Sequence, residues 1–208
     1  MKKHIALLLT LPLILLGCAQ PQETEPPAEK TPPPAKITTE IPQAAHTPYG
    51  GTPLAIPGTL ETEHYDDGPA EIAYHDIDAE NLGEPYRTDT QVDIEKRPDA
   101  SNGHGIGWTR TGEWLLYTIN ITQPGTYDLT IPVASNKEGG TFHLQLNDDP
   151  ITDPIQIPDT GGWQKLQTIT DTTKELPAGT HTLKLSLDTQ GPSGSIGDID
   201  YIKFELKP

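Results

Sequence analysis

The strictest constraint on the fold is the two-residue alternation in GEWLLYTINI, where Leu115, Tyr117, Ile119 and Ile121 fall on one side and Trp114, Leu116 and Thr118 on the other. That period belongs to a strand half-buried in a sheet. Related runs appear in LETEHY, QVDIE, TYDLTIPVAS, TFHLQL, WQKLQTIT, HTLKLSL and DIDYIKFEL, separated by clusters of Gly, Pro, Asn and Asp. No stretch reads as a helix. The chain from Ala55 to Pro208 is therefore predicted to be all-β, a β-sandwich or jelly roll of two antiparallel sheets, with Phe142, Leu144 and Leu146 facing the core. At roughly 150 residues it suits one domain with one core, and no internal repeat is found.

The preceding segment has another composition. Lys2 and Lys3 stand before an apolar run from Ile5 to Leu16, which ends in Leu15, Leu16, Gly17, Cys18. The run is short of the roughly 20 apolar residues of a membrane span, and it resembles a bacterial lipoprotein signal over residues 1–17 with Cys18 as the lipidated N-terminus. Residues 18–54, with EPPAEKTPPPAK at their centre, read as a Pro-rich disordered tether. The expected location is exported and lipid-anchored to the bacterial cell envelope, in the outer membrane if the organism is Gram-negative, since Ala19 follows Cys18. Cys18 is the only cysteine, so stability must come from packing or a bound ion rather than from an intrachain disulfide.

Charge narrows the partners. The formal net charge is −16, and the acids and bases of the signal and tether cancel, so the surplus belongs to the sandwich. Nucleic acid, anionic membranes and sulfated or uronic-acid-rich polymers would be repelled. Neutral ligands or cations remain. Within that frame the tryptophans stand out: Trp108 sits in a Gly-rich approach, Trp163 follows Gly161 and Gly162, and Trp114 points off the core face of its strand. Large aromatics near a surface suggest a binding platform.

The pieces IPGTLETEHYD at Ile56, AYHDIDAENLGEPYRTD at Ala73, GWTRTGEWLLYTINI at Gly107, PGTYDL at Pro124, GGTFHLQL at Gly139, TGGWQKLQTIT at Thr160, AGTHTLKL at Ala178 and GDIDYIKFEL at Gly197 carry a family resemblance. Together they cover almost all of Ile56 to Leu206, which looks like a family 6 carbohydrate-binding module. The resemblance implies a β-jelly-roll that binds polysaccharide, expected here as a monomer without a catalytic domain. It implies a loop-edge cleft in which Trp108 and Trp163 flank a sugar ring and Asp198 hydrogen-bonds it, with Glu71 and His104 as further candidates. Asp198 departs from the family, which commonly has Asn there; a carboxylate accepts hydrogen bonds but donates none.

Stacking over about 100 Å² contributes roughly 2–3 kcal/mol. A disaccharide should then bind at tens of micromolar or weaker, by the roughly −0.3 kcal/mol per heavy atom of such ligands. Trp114 marks either a second site on one sheet, with Gln145 or His143 as polar partners, or a residue packed against the loops around Pro98. Glu61, Glu63 and Asp200 match the family's structural calcium site. Glu61 and Glu63, on alternate positions of one strand, would share a face and could close on one Ca2+. The competing functions are a glycoside hydrolase or lyase using Asp198 and Glu71, and an envelope or adhesion protein with no glycan substrate of its own.

Overall fold

The computed structural model describes residues 45–208. The expected signal over residues 1–17, Cys18 and the tether as far as residue 44 lie outside the described residues. A single 3-10 turn, Tyr49–Gly51, precedes fourteen strands. These are β1 (Leu54–Ile56), β2 (Gly58–Glu61), β3 (Tyr74–His75), β4 (Ile94–Lys96), β5 (His104–Ile106), β6 (Trp114–Ile121), β7 (Tyr127–Ala134), β8 (Thr141–Leu146), β9 (Asp149–Pro150), β10 (Ile155–Gln156), β11 (Gln167–Thr172), β12 (Gly179–Thr189), β13 (Asp198–Ile199) and β14 (Tyr201–Leu206).

The strands form two sheets of seven. One runs β1-β6-β12-β8-β10, with β3 added to β6 and β9 to β8. The other runs β2-β14-β7-β13-β5-β4, with β11 added to β7. Every ladder but one is antiparallel; β1 lies parallel to β6, Leu54 opposite Ile119, which qualifies the expectation of purely antiparallel sheets. A parallel partner needs a long crossover. Here β2 to β5 fill that crossover and carry the chain through the second sheet before β6.

The alternation is realised as expected. Leu115, Tyr117, Ile119 and Ile121 of β6 are buried, as are Phe142, Leu144 and Leu146 of β8 and Leu183, Leu185 and Leu187 of β12. They meet Leu129, Ile131 and Val133 of β7 and Ile202 and Phe204 of β14 in one core. Side chains of alternate parity stand on the outer faces.

The folded part begins upstream of the residue-55 boundary that composition suggested. Thr47 exchanges backbone hydrogen bonds with Asp67, and His46 Nδ1 lies 2.5 Å from Asp66 Oδ2. Asp66 in turn accepts from the backbone N and the hydroxyl of Thr118 on β6, so this short segment is laced to the sandwich by side chains rather than by an apolar stripe.

Candidate functional site

At one edge of the sandwich the loops after β5, before β11 and after β12 surround a cavity of about 670 Å³. Trp108, Trp163 and Asp198 all line it, so three residues far apart in the chain are brought together. Trp108 keeps 43% of its surface exposed and holds a left-handed backbone, φ 48°, which a bulky side chain adopts only under constraint. The constraint is its neighbour. Thr109 is buried; its hydroxyl donates to Gly197 O at 2.6 Å and accepts from Gly197 N, while its carbonyl accepts from Ile196 N and from Ser195 Oγ. Trp163 follows two glycines with φ of 81° and 151°, in a turn whose Thr160 hydroxyl donates to Ser135 O at 3.0 Å. Both tryptophans are thus presented by loops tied to the frame.

The floor of the cavity is charged. Arg97, fully buried, donates from Nη1 to Asp198 Oδ2 at 2.7 Å and to Glu95 Oε2 at 3.0 Å, and from Nε and Nη2 to the two oxygens of Asp99 at 3.3 and 3.1 Å. Gln164 Nε2 donates to Glu95 Oε1. Asp198 is buried, and desolvation pushes its carboxyl up to about 8; the charge of Glu95 adds to this and Arg97 opposes it. The simple acceptor expected at Asp198 is therefore replaced by a carboxyl already engaged on one oxygen and able to hold a proton near neutral pH. Burial is the reason, and the sequence position alone does not show it. Glu95, Gln164, Arg110, Gln190 and Ser193 also line the cavity and were missed, because each reads locally as an ordinary polar loop or strand residue.

Two expected site residues lie elsewhere. Glu71 is exposed and hydrogen-bonded to His75 Nδ1 at 2.6 Å, beside β3 in the sheet of β6, so it does not line the cavity. The Asp198–Glu71 pair on which a hydrolase would rest is not assembled. His104 stands on β5, its ring 4.2 Å from that of Tyr86, in a group where His64 stacks on Tyr49 at 4.2 Å. It contributes to holding the β3–β4 connection and not to the cavity wall.

Trp114 is on the outer face of β6, with the His75 ring 6.4 Å away and Lys184 Nζ 4.8 Å from its centroid. Register puts Ser186 and His143 in its row and Gln145 one row further, so the residues expected to accompany it share that face. The loops around Pro98 are part of the other sheet's edge.

Glu61, Glu63 and Asp200 converge, but by a different route from the one expected. Strand β2 ends at Glu61, and Glu63 lies in the following turn rather than on an alternate strand position. Ser101 Oγ donates to Glu61 and to Asp200, and Asn102 Nδ2 to Glu63. Glu63 is buried, and its Oε2 has no partner. Burial pushes its carboxyl up to about 7 and that of Asp200 to about 6, and the Glu61 charge raises both. Among the described residues no group of three or more His, Cys, Asp and Glu is set in liganding geometry. Even so, an orphaned buried carboxylate oxygen beside two further carboxylates is the hard-oxygen chemistry that suits calcium once Ser101 and Asn102 turn aside.

Similarity places this geometry among known proteins. The C-terminal module of LamC, a marine laminarinase of Zobellia galactanivorans, superposes with TM-score 0.50 at 26% identity over 70% of this chain and 95% of that one. The module CBM6cm-2 of Cellvibrio mixtus lichenase 5A, solved with cellotriose, gives 0.52 at 24% identity over 73% and 98%. In sequence, the clotting factor G alpha subunit of Tachypleus tridentatus is 34% identical over 88 residues, 41% of this chain and 13% of that protein. Beta-agarase AgaA of Microbulbifer thermotolerans is 29% identical over 69 residues, 33% and 16%. This chain thus spans a small part of those relatives. The sequence profile of carbohydrate binding module family 6 matches residues 83–206, and the chain belongs to that family.

Proposed function

We propose that this protein binds a neutral polysaccharide or oligosaccharide without cleaving it, at the bacterial cell surface, by stacking a sugar ring on Trp108 and Trp163 over the Asp198 floor. The observation that carries the reading is the convergence of both tryptophans and Asp198 on one cavity. Pyranose rings offer CH faces to indoles and direct their hydroxyls sideways to polar groups, so stacking supplies area and the floor supplies selection. Laminarin is the first polymer to test, because the LamC module comes from a laminarinase. The lipid on Cys18 would hold the module at the envelope, where it keeps polymer near enzymes acting elsewhere.

Two further features belong to this reading. The outer face around Trp114, with Gln145 and His143, is a second, shallower sugar site. The carboxylates of Glu61, Glu63 and Asp200 hold a structural Ca2+, which would join the strand-β2 turn to the segment before β14 and substitute for a missing disulfide. A glycan microarray probed with the chain from residue 45 onward, repeated with Trp163→Ala, tests the main claim. Binding lost in the variant supports the cleft; equal binding places the site elsewhere. Release of reducing sugar from laminarin by the purified protein would overturn the non-catalytic assignment.

A further inference from the structure

Arg97 is the largest fully buried side chain in the molecule, and every polar contact it makes is with a carboxylate. A guanidinium is planar and its donors are fixed in one fork. Asp99 grips the Nε and Nη2 edge from outside the cavity, which sets the plane and so aims Nη1 inward. That one nitrogen holds Asp198 Oδ2 and Glu95 Oε2, and Gln164 steadies the second oxygen of Glu95. Asp198 Oδ1 is left facing the open space above Gly107, where a Cβ would come within 3.3 Å of it and 3.6 Å of Glu95 Cβ.

We propose that Arg97 is a positioning residue that presents Glu95 and Asp198 as one paired carboxyl floor, and that this floor selects sugars bearing two adjacent equatorial hydroxyls. The inference rests on the sugar-binding reading of the cleft. Equatorial hydroxyls lie in the ring plane and point sideways from a stacked ring, whereas an axial hydroxyl would project into an indole. Hydroxyls also suit a carboxyl pair in any protonation state, because each both donates and accepts. An acetal oxygen only accepts, and an appended carboxylate or sulfate meets like charge. The selected units are therefore gluco-, galacto- or xylo-configured residues with O2 and O3 both free.

The test uses the full chain in detergent and the methyl β-glycosides of glucose, galactose and xylose, each with its 2-deoxy and 3-deoxy analogue. Binding is followed by NMR at the tryptophan indole N–H signals. Removing either hydroxyl should weaken binding by about tenfold in the parent protein, as for a hydrogen bond to a charged group. In Arg97→Lys the parent-to-deoxy ratio should fall below about threefold. Asp99→Asn, a change outside the cavity, should lower that ratio in the same direction while the protein stays folded, which covers the case in which Arg97→Lys does not fold. A merely structural role for Arg97 would weaken all ligands alike and leave the ratio unchanged, and that result overturns the proposal. So does failure of all three glycosides to shift the indole signals. If polymer binding in the microarray still depends on Trp163 in that case, the cleft reading stands and only the diol floor falls.

Discussion

Trp108 combines exposure with backbone strain, and the two can be separated by substitution. With 43% of its surface free, a side chain of about 250 Å² leaves about 100 Å² for a sugar face. At about 25 cal/mol per Å² that area is worth about 2.5 kcal/mol, or about seventyfold in Kd. The entropic costs of association are common to parent and variant, so they cancel in the ratio. Both Trp108→Ala and Trp108→Gly should therefore weaken binding of the best microarray oligosaccharide by tens of fold in calorimetric titration. Stability should divide them. The left-handed φ of 48° disfavours alanine but suits glycine, so the glycine variant should be the more stable of the two by about 1 kcal/mol, against the usual order. In a domain of this size that is about 2–4 °C in Tm by scanning calorimetry. Unchanged affinity in both variants would refute the stacking argument. An alanine variant as stable as the glycine one would refute the strain argument.

Other consequences are as direct. Gly107→Ala sets a methyl 3.3 Å from Asp198 Oδ1 and should cost at least about tenfold in sugar affinity with little change in Tm; full affinity would show that the floor is not used. Calcium at a hundred times its Kd should stabilise the protein by about 2.7 kcal/mol, about 5–10 °C, and EDTA should reverse it. Glu63→Gln should abolish that response, and an unchanged melt in EDTA removes the calcium site. Glu113 is buried, and burial pushes its carboxyl from an ordinary 4.5 up to about 7. A raised folded pKa gives stability that is complete below pH 4.5 and lost as pH rises through 7, so the protein should lose about 2–3 kcal/mol on this account between pH 4.5 and 8. Glu113→Gln should flatten that part of the slope in urea melts at a series of pH values; an unaltered slope would assign it to other groups.

What could be read from the chain and what could not divide along a physical line. Strands such as β6, β8 and β12 announce themselves because a sheet with one face on the core imposes a period of two, and Leu115, Phe142 and Leu183 are members of such series. The two-residue strands β3, β9, β10 and β13 are too short to show any period; long-range pairing makes them. The tryptophans of the cleft were found from glycines and motif order. Glu71 and His104 were placed with them by motif likeness or nearness in the chain, and the fold sends one beside β3 and the other into the Tyr86 stack.

The floor escaped for a different reason. Arg97 stands in the run EKR, which reads as a solvated charge cluster, and nothing nearby in the sequence contradicts that. Its burial is made possible by carboxylates at 95, 99 and 198, the last of them 101 positions away. A buried charge is tolerated only where partners surround it, so its position is decided by the assembled fold and leaves no periodic trace. Replacing any one partner leaves the others paired but re-aims Arg97, and for that reason the selectivity of the cleft should be more sensitive to Asp99, outside it, than to the polar residues along its rim.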